Sequence, residues 1–238
     1  MKYRKLSVII PAYNEAQTIE EILSRVKNVV LGDLEKEIIV VDDGSRDGTR
    51  DILRRIMGIH YVFHERNKGK GGAIKTGIST ATGDILLIQD ADLEYDPEDY
   101  RVMIQPILAG ETEFVMGSRF LLQKIHFFTE HGAPFFSHYI GNKLITWTTN
   151  FLYGQQFTDY EGCYKAFTAA LAREIPIRTD GFAFDNELIC KTLRRRHRIK
   201  EVPIRYKSRL YTDGKKITWR DGLKILWIIL KCRFTRFD

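Results

Sequence analysis

Short apolar runs alternate with amphipathic stretches along the first half of the chain. Residues 7–10, 37–41, 61–63 and 85–88 are dominated by Val, Ile, Leu and Phe. Runs of this length, bounded by Pro, Asp and Gly, read as strands buried on both faces of a parallel sheet. Between them, apolar residues recur at helical spacing over about 18–30, 49–57 and 70–80, and a further helix is expected over 97–108. Asp96-Pro97 supplies the start signal for that last helix, as N-cap and first helical position. A strand over 113–116 follows. Strands alternating with helices predict right-handed crossovers and an α/β fold, a mostly parallel sheet flanked by helices with its functional loops at the strand C-termini. Near the end, Trp219, Leu223, Leu226, Trp227 and Leu230 recur at near-helical spacing, with Lys224, Lys231, Arg233 and Arg236 among them. They predict a basic amphipathic helix that packs on the body or lies in a membrane interface. The expected division is a main domain over 1–210 and a C-terminal loop and helix over 211–238.

The strand over 85–88 leads into the most informative stretch, Gln89-Asp90-Ala91-Asp92-Leu93-Glu94. If the chain stays extended there, Asp90, Asp92 and Glu94 point to one side. Three carboxylates so placed repel one another unless a cation sits among them, and hard oxygen ligands suit Mg²⁺ or Mn²⁺. The same parallel sheet brings Tyr13, Asp42 and Asp43 to this rim. Tyr13 can flank a flat base, and Glu15, Asp42 and Asp43 can accept hydrogen bonds from a base or ribose. The Gly-rich opening of the helix over 70–80 reads equally as a turn and as a phosphate cradle, to which Lys70 adds a charge.

Composition narrows the class. With 238 residues, 44% of them hydrophobic, the chain can bury one sizeable core, and no low-complexity linker divides it. The six-residue apolar run from 225 to 230 is far short of the ~20 residues a membrane span needs. Cys163, Cys190 and Cys232 lack any metal-binding or disulfide spacing. The start runs from Lys-rich residues into a strand with no signal-peptide core, so a cytoplasmic location is expected. The net charge of +6 conceals an asymmetry: from Lys191 onward there are 16 Lys and Arg against 4 Asp and Glu, and before it 21 against 27. A basic end points to an anionic partner, such as substrate phosphates or a lipid surface. No helix-turn-helix, zinc or aromatic RNA-binding signature accompanies it, and no nucleic-acid partner is expected.

Pro11-Ala12-Tyr13-Asn14-Glu15, Asp42-Asp43-Gly44-Ser45, Asp90-Ala91-Asp92-Leu93-Glu94 and Gly117-Ser118-Arg119 form an ordered set, each at a strand end. In that order they resemble the family 2 inverting glycosyltransferases of the GT-A fold, and within them the dolichyl- or polyprenyl-phosphate mannose synthases. The resemblance continues through Thr158-Asp159-Tyr160-Glu161-Gly162-Cys163-Tyr164-Lys165, Phe184-Asp185-Asn186-Glu187 and Val202-Pro203-Ile204 to Arg209. It implies transfer of a sugar, with inversion, from a nucleotide-diphosphate sugar to polyprenyl or dolichyl phosphate, GDP-mannose being favoured and a UDP-sugar the other donor class. It implies that Pro11, Tyr13, Glu15, Asp42, Asp43, Lys70, Asp90 and Ala91 line the nucleotide-sugar site. Asp90, Asp92 and Glu94 would hold Mg²⁺ or Mn²⁺. Arg119 and Arg209 would lie at the reacting phosphates, with Lys215 or Lys216 closing over them. The acceptor phosphate is expected near Ser137 and Asn142, although the Arg that usually precedes the Ser is missing and Lys124, His126, His131 and Lys143 are its candidate substitutes. Members often end in membrane-spanning helices, so this chain would reach its lipid peripherally or through a membrane-protein partner.

A phosphate acceptor is already ionised near neutral pH and needs no general base. A glycan or glycolipid hydroxyl acceptor, the alternative, would use one, and Asp159 or Glu161 is the candidate. A non-catalytic nucleotide-sugar-binding subunit is the third reading.

Overall fold

The computed structural model describes residues 3–121, 136–207 and 219–235. Strands β1 (Lys5–Ala12), β2 (Glu35–Asp42), β3 (His60–Phe63) and β4 (Ile85–Ile88) alternate with helices α1 (Ile19–Asn28), α2 (Thr49–Leu53) and α3 (Lys70–Thr80). A 3₁₀ turn over Pro97–Asp99 opens α4 (Tyr100–Leu108), and Asp96 accepts the Glu98 N–H at 3.0 Å as its cap. Then come β5 (Phe114–Ser118), α5 (Phe136–Tyr153), β6 (Lys165–Thr168), α6 (Ala169–Glu174), α7 (Phe184–Arg194), β7 (Ile199–Pro203) and α8 (Trp219–Phe234). Helix α2 is shorter than the sequence pattern predicts. It ends at Leu53, and Met57 beyond it is 86% exposed.

The seven strands lie in the order β3-β2-β1-β4-β6-β5-β7. All pairings are parallel except those of β6, which runs antiparallel to both β4 and β5. The mostly parallel α/β architecture expected from the alternation is therefore present, with one inserted reversal. β4 shows why the central strands read so clearly. Its four residues Ile85, Leu86, Leu87 and Ile88 are all buried, and full burial stabilises such side chains by roughly 1.5–3 kcal/mol each. A second, smaller apolar cluster joins α5, α7 and α8 through Ile145, Cys190, Ile225, Ile229 and Cys232. The Tyr153 hydroxyl fastens α5 to α8 by donating to the Ile229 carbonyl at 3.0 Å. Among the described residues no helix is long and apolar enough to cross a membrane.

The reversal of β6 decides where chemistry collects. Lys165, its first residue, is in register with Ile88, the last residue of β4. The loop entering β6 therefore reaches the same rim as the loops leaving β1, β2 and β4.

Candidate active site

The first two rim loops are laced together by hydrogen bonds. The Asn14 N–H donates to Ser45 Oγ at 2.8 Å, the Glu15 N–H to Thr49 Oγ1 at 2.9 Å and the Arg46 N–H to Asn14 Oδ1 at 2.9 Å. Pro11, Tyr13 and Glu15 are half-buried on this edge. The Asp42-Asp43 pair faces inward. Asp42 is fully buried and meets Arg50 Nε at 2.5 Å. Asp43 accepts from the Lys68 N–H at 2.9 Å and the Gly69 N–H at 2.8 Å, and also bonds His64 Nδ1 at 2.7 Å. In this arrangement both carboxylates brace the loops of the rim.

The Gly-rich start of α3 is a close-packing device. Gly69 sits at φ +86°, and a Cβ there would lie 2.5 Å from the Asp180 carbonyl. At Gly71 a Cβ would lie 2.4 Å from the Thr179 carbonyl. The Gly72 N–H is taken by the Asp180 carbonyl at 3.0 Å. This packing brings Lys70 to the rim, where its Nζ meets Asp90 Oδ1 at 2.6 Å. Burial works against the charge on Asp90, but the Lys70 ammonium overcomes it and holds the carboxyl below its ordinary range.

After Ile88 the chain does not stay extended, which corrects the expectation of three carboxylates on one side. It turns over residues 91–94, with Leu93 at φ +63° and the Glu94 N–H donating back to Asp92 Oδ1 at 3.2 Å. Ala91 is buried, Asp92 and Glu94 are half-buried, and Asp90 carries Lys70. Among the described residues no three His, Cys, Asp or Glu side chains are gathered closely enough to hold an ion alone. Gln89 anchors the turn from below, accepting the Tyr100 hydroxyl at 2.8 Å and the Tyr164 hydroxyl at 2.6 Å.

Arg119, one residue past β5, forms a two-pronged pair with Asp159 on the loop entering β6. Nε lies 2.7 Å from Oδ2 and Nη2 lies 2.8 Å from Oδ1. Asp159 also accepts from the Arg119 N–H at 3.2 Å and the Glu161 N–H at 3.1 Å, with Asn142 Nδ2 at 3.5 Å. It is 1% exposed. Burial would raise its pKa, yet Arg119 and these donors leave it depressed, so this carboxylate is a locked ion and a poor proton acceptor. Glu161 is different. Burial raises its pKa, offset only in part by the Asn186 amide at 2.9 Å and by the Lys165 charge. Lys165, 1% exposed, pairs with Asp185 at 3.0 Å beneath it, and burial raises Asp185 as well.

Tyr206, which no motif singles out, links the parts. The Arg119 guanidinium lies 5.1 Å from its ring centroid, its hydroxyl donates to Glu94 Oε2 at 3.2 Å, and its backbone bridges to Tyr95. The alternating Val202-Pro203-Ile204 run just before it was the available signal. Asn142 comes to the rim on α5. Of the other expected site residues, Ser137 has its side chain outside the described residues, as have Arg209, Lys215 and Lys216 entirely, together with Lys124, His126 and His131.

Residues 7–176 match the Glycosyl transferase family 2 model. The chain belongs to that family. Among curated relatives, the UDP-N-acetylglucosamine–dolichyl-phosphate N-acetylglucosaminyltransferase of Methanococcus voltae is 28% identical over 251 aligned residues, covering 97% of this chain and 96% of that one. The dolichol-phosphate mannosyltransferase of Pyrococcus furiosus is 37% identical over 120 residues, covering 49% of this chain and 34% of that one. Among solved structures, glucosyl-3-phosphoglycerate synthase from Mycobacterium tuberculosis, bound to UDP, superposes with a TM-score of 0.75 at 20% identity, covering 99% of this chain and 82% of that one. The fold of this glycosyltransferase is therefore GT-A, as its motifs led one to expect.

Proposed function

We propose that this glycosyltransferase moves a sugar, with inversion, from a nucleotide-diphosphate donor to polyprenyl or dolichyl phosphate at the cytoplasmic face of a membrane. One arrangement carries the reading. The acidic turn after β4 and the cations Lys70 and Arg119 share a rim, joined by the 2.6 Å Lys70–Asp90 pair and by Tyr206 between Arg119 and Glu94. Alternating charges of this kind suit a diphosphate that must gain negative charge as it departs. The acceptor phosphate oxygen forms the new bond at the anomeric carbon, and the bond to the nucleoside diphosphate breaks. The dolichyl-phosphate in the name of the Methanococcus relative and the dolichol-phosphate in that of the Pyrococcus relative support the acceptor. The Methanococcus relative sets UDP-N-acetylglucosamine, as a donor to test, beside the GDP-mannose that the motif resemblance implies.

The oxygen-rich turn fits a divalent cation by its chemistry, and Lys70 already sets a positive charge against Asp90. Asp90, Asp92 and Glu94 are not gathered closely enough to hold Mg²⁺ or Mn²⁺ by themselves, so they would hold it together with oxygens of the donor diphosphate, whose leaving charge it would neutralise. A glucosyl-3-phosphoglycerate synthase structure of the same fold, with Mn²⁺ and UDP, supports a divalent cation in general. The test is transfer of labelled sugar into organic-extractable lipid, with purified protein, polyprenyl phosphate and Mn²⁺, each donor supplied separately. Product from one donor, lost with EDTA and with Asp92→Ala, is expected. Metal-dependent nucleotide binding without product from any donor would sink the reading.

One observation favours a hydroxyl acceptor instead: Glu161 is half-buried, and burial raises its carboxyl above the ordinary range, which makes it a better proton acceptor than the locked Asp159. Under that reading Glu161→Gln abolishes transfer to a sugar hydroxyl. Under the lipid-phosphate reading it leaves transfer within a few-fold of the parent.

A further inference from the structure

Helices α5 and α8 bury one side against each other and α7, and each leaves an apolar stripe outside. On α5 the stripe is Ile140, Leu144, Trp147 and Phe151; on α8 it is Leu223, Trp227, Leu230 and Phe234. Both follow the same spacing, steps of four, three and four residues, which keeps side chains on one helical face. Trp147 is 66% exposed, Phe151 75%, Trp227 65% and Phe234 73%, an apolar display far beyond scattered surface residues. The Trp147 and Phe151 rings stack outward at 5.8 Å.

The charges beside the stripes have one sign. Helix α5 contains no Asp or Glu, and α8 contains only Asp221, whose side chain is 19% exposed. Lys224, Lys231 and Arg233 stand exposed along α8. At the far end, Arg194, Arg196 and Arg233 line an open pocket of 550 Å³ whose apolar wall includes Phe151. We infer that the outward faces of α5 and α8 form a docking surface for an anionic lipid bilayer, the stripes entering the headgroup boundary while the cations meet lipid phosphates. Trp and basic residues around an apolar face are what that boundary favours. A second copy of the chain is the poorer occupant, because two such faces would oppose like charges.

This inference deepens the proposed function, which already sets the enzyme at a membrane face, while its observations are those of the two helices alone. Binding without transfer retires the reaction reading alone. Transfer to detergent-dispersed lipid phosphate without vesicle binding retires the docking surface alone. The experiment is flotation of the full chain with phosphatidylcholine vesicles, with and without about one-third phosphatidylglycerol. Tryptophan emission is read in parallel, since two of the chain's three tryptophans, Trp147 and Trp227, lie on the stripes. Binding to the anionic vesicles with a blue shift is expected. The pairs Trp147→Ser/Phe151→Ser and Trp227→Ser/Leu230→Ser should each weaken binding about tenfold or more, with unchanged circular dichroism. Lys224→Glu/Lys231→Glu should remove the preference for anionic lipid. Failure of the parent to bind, or parental binding by both stripe variants, would overturn the inference. So would a dimer in light scattering that Trp227→Ser/Leu230→Ser converts to monomer.

Discussion

Replacing Asp159 with Asn preserves the shape of the most heavily bonded side chain in the site and removes its charge. Asp159 holds both prongs of Arg119, at 2.7 and 2.8 Å, and is 1% exposed. An Asn can offer an oxygen to only one prong and sets its own N–H₂ against the other. One charge-assisted bond is then lost, worth about 1.5–3 kcal/mol. Arg119 is also left without its counterion, and breaking a buried pair costs about 3–5 kcal/mol altogether. The Arg119 side chain is 15% exposed and keeps the Tyr206 ring at 5.1 Å, which places the expected loss near the lower end, ~3 kcal/mol. Urea unfolding measures this, and with a slope near 3 kcal/mol/M the midpoint should fall by about 1 M. Arg119→Gln/Asp159→Asn should lose less than the sum of its single changes, because no charge remains uncompensated. The folded pKa of Asp159 is depressed, so its contribution is fully present above the unfolded value of about 3.9 and fades as pH falls through the folded one. The gap between parent and Asp159→Asn should therefore hold across neutral pH and close in acid. A variant within about 0.5 kcal/mol of the parent at pH 7 would refute the locked-pair argument.

Three further outcomes are expected. Gly71→Ala drives a methyl to within 2.4 Å of the Thr179 carbonyl and should cost about 1–3 kcal/mol, whereas Gly222→Ala meets open space on α8 and should gain up to about 1 kcal/mol; thermal melts compare the two. Glu161→Gln removes a carboxyl whose folded pKa is raised. The parent loses stability as pH rises from the unfolded value through the folded one, so the variant should melt above the parent at neutral pH and level with it in acid, and the reverse order would contradict the burial argument. Lys70→Met leaves Asp90 without its cation, so Mn²⁺ should raise the melting temperature of the variant more than that of the parent; equal shifts would separate Asp90 from any metal role.

The first half of the chain was readable because β1, β2 and β4 are buried on both faces, which leaves continuous apolar runs. Helix α3 is legible for a related reason, its apolar and small residues being the buried ones. β6 was hidden by its first residue. A strand of four residues beginning with Lys does not advertise burial, and Lys165 is buried only because Asp185 and the Tyr160 and Gly162 carbonyls satisfy it. The turn at 91–94 is not legible in the sequence, because nothing in a branched residue such as Leu93 announces a positive φ. The pairings Lys70–Asp90 and Arg119–Asp159 join residues from separate elements, and sequence spacing carries no trace of them. The motifs identified the rim; the contacts that set each carboxylate's state had to come from the fold.

The inserted reversal of β6 also orders the way the molecule comes together. β3, β2, β1 and β4 can pair as soon as the first 88 residues exist, yet β4 and β5 share no edge until residues 165–168 arrive between them. Ile88 and Met116 both wait for the same Lys165. A chain emerging from synthesis holds half a sheet with a bare apolar edge, and pairing across so long a separation is slow. The late strand both seals that edge and brings Asp159 and Glu161 to the rim that carries Asp90. Closure of the sheet and completion of the rim are one event, so a half-paired sheet carries the loops of β1, β2 and β4 without Asp159 and Glu161.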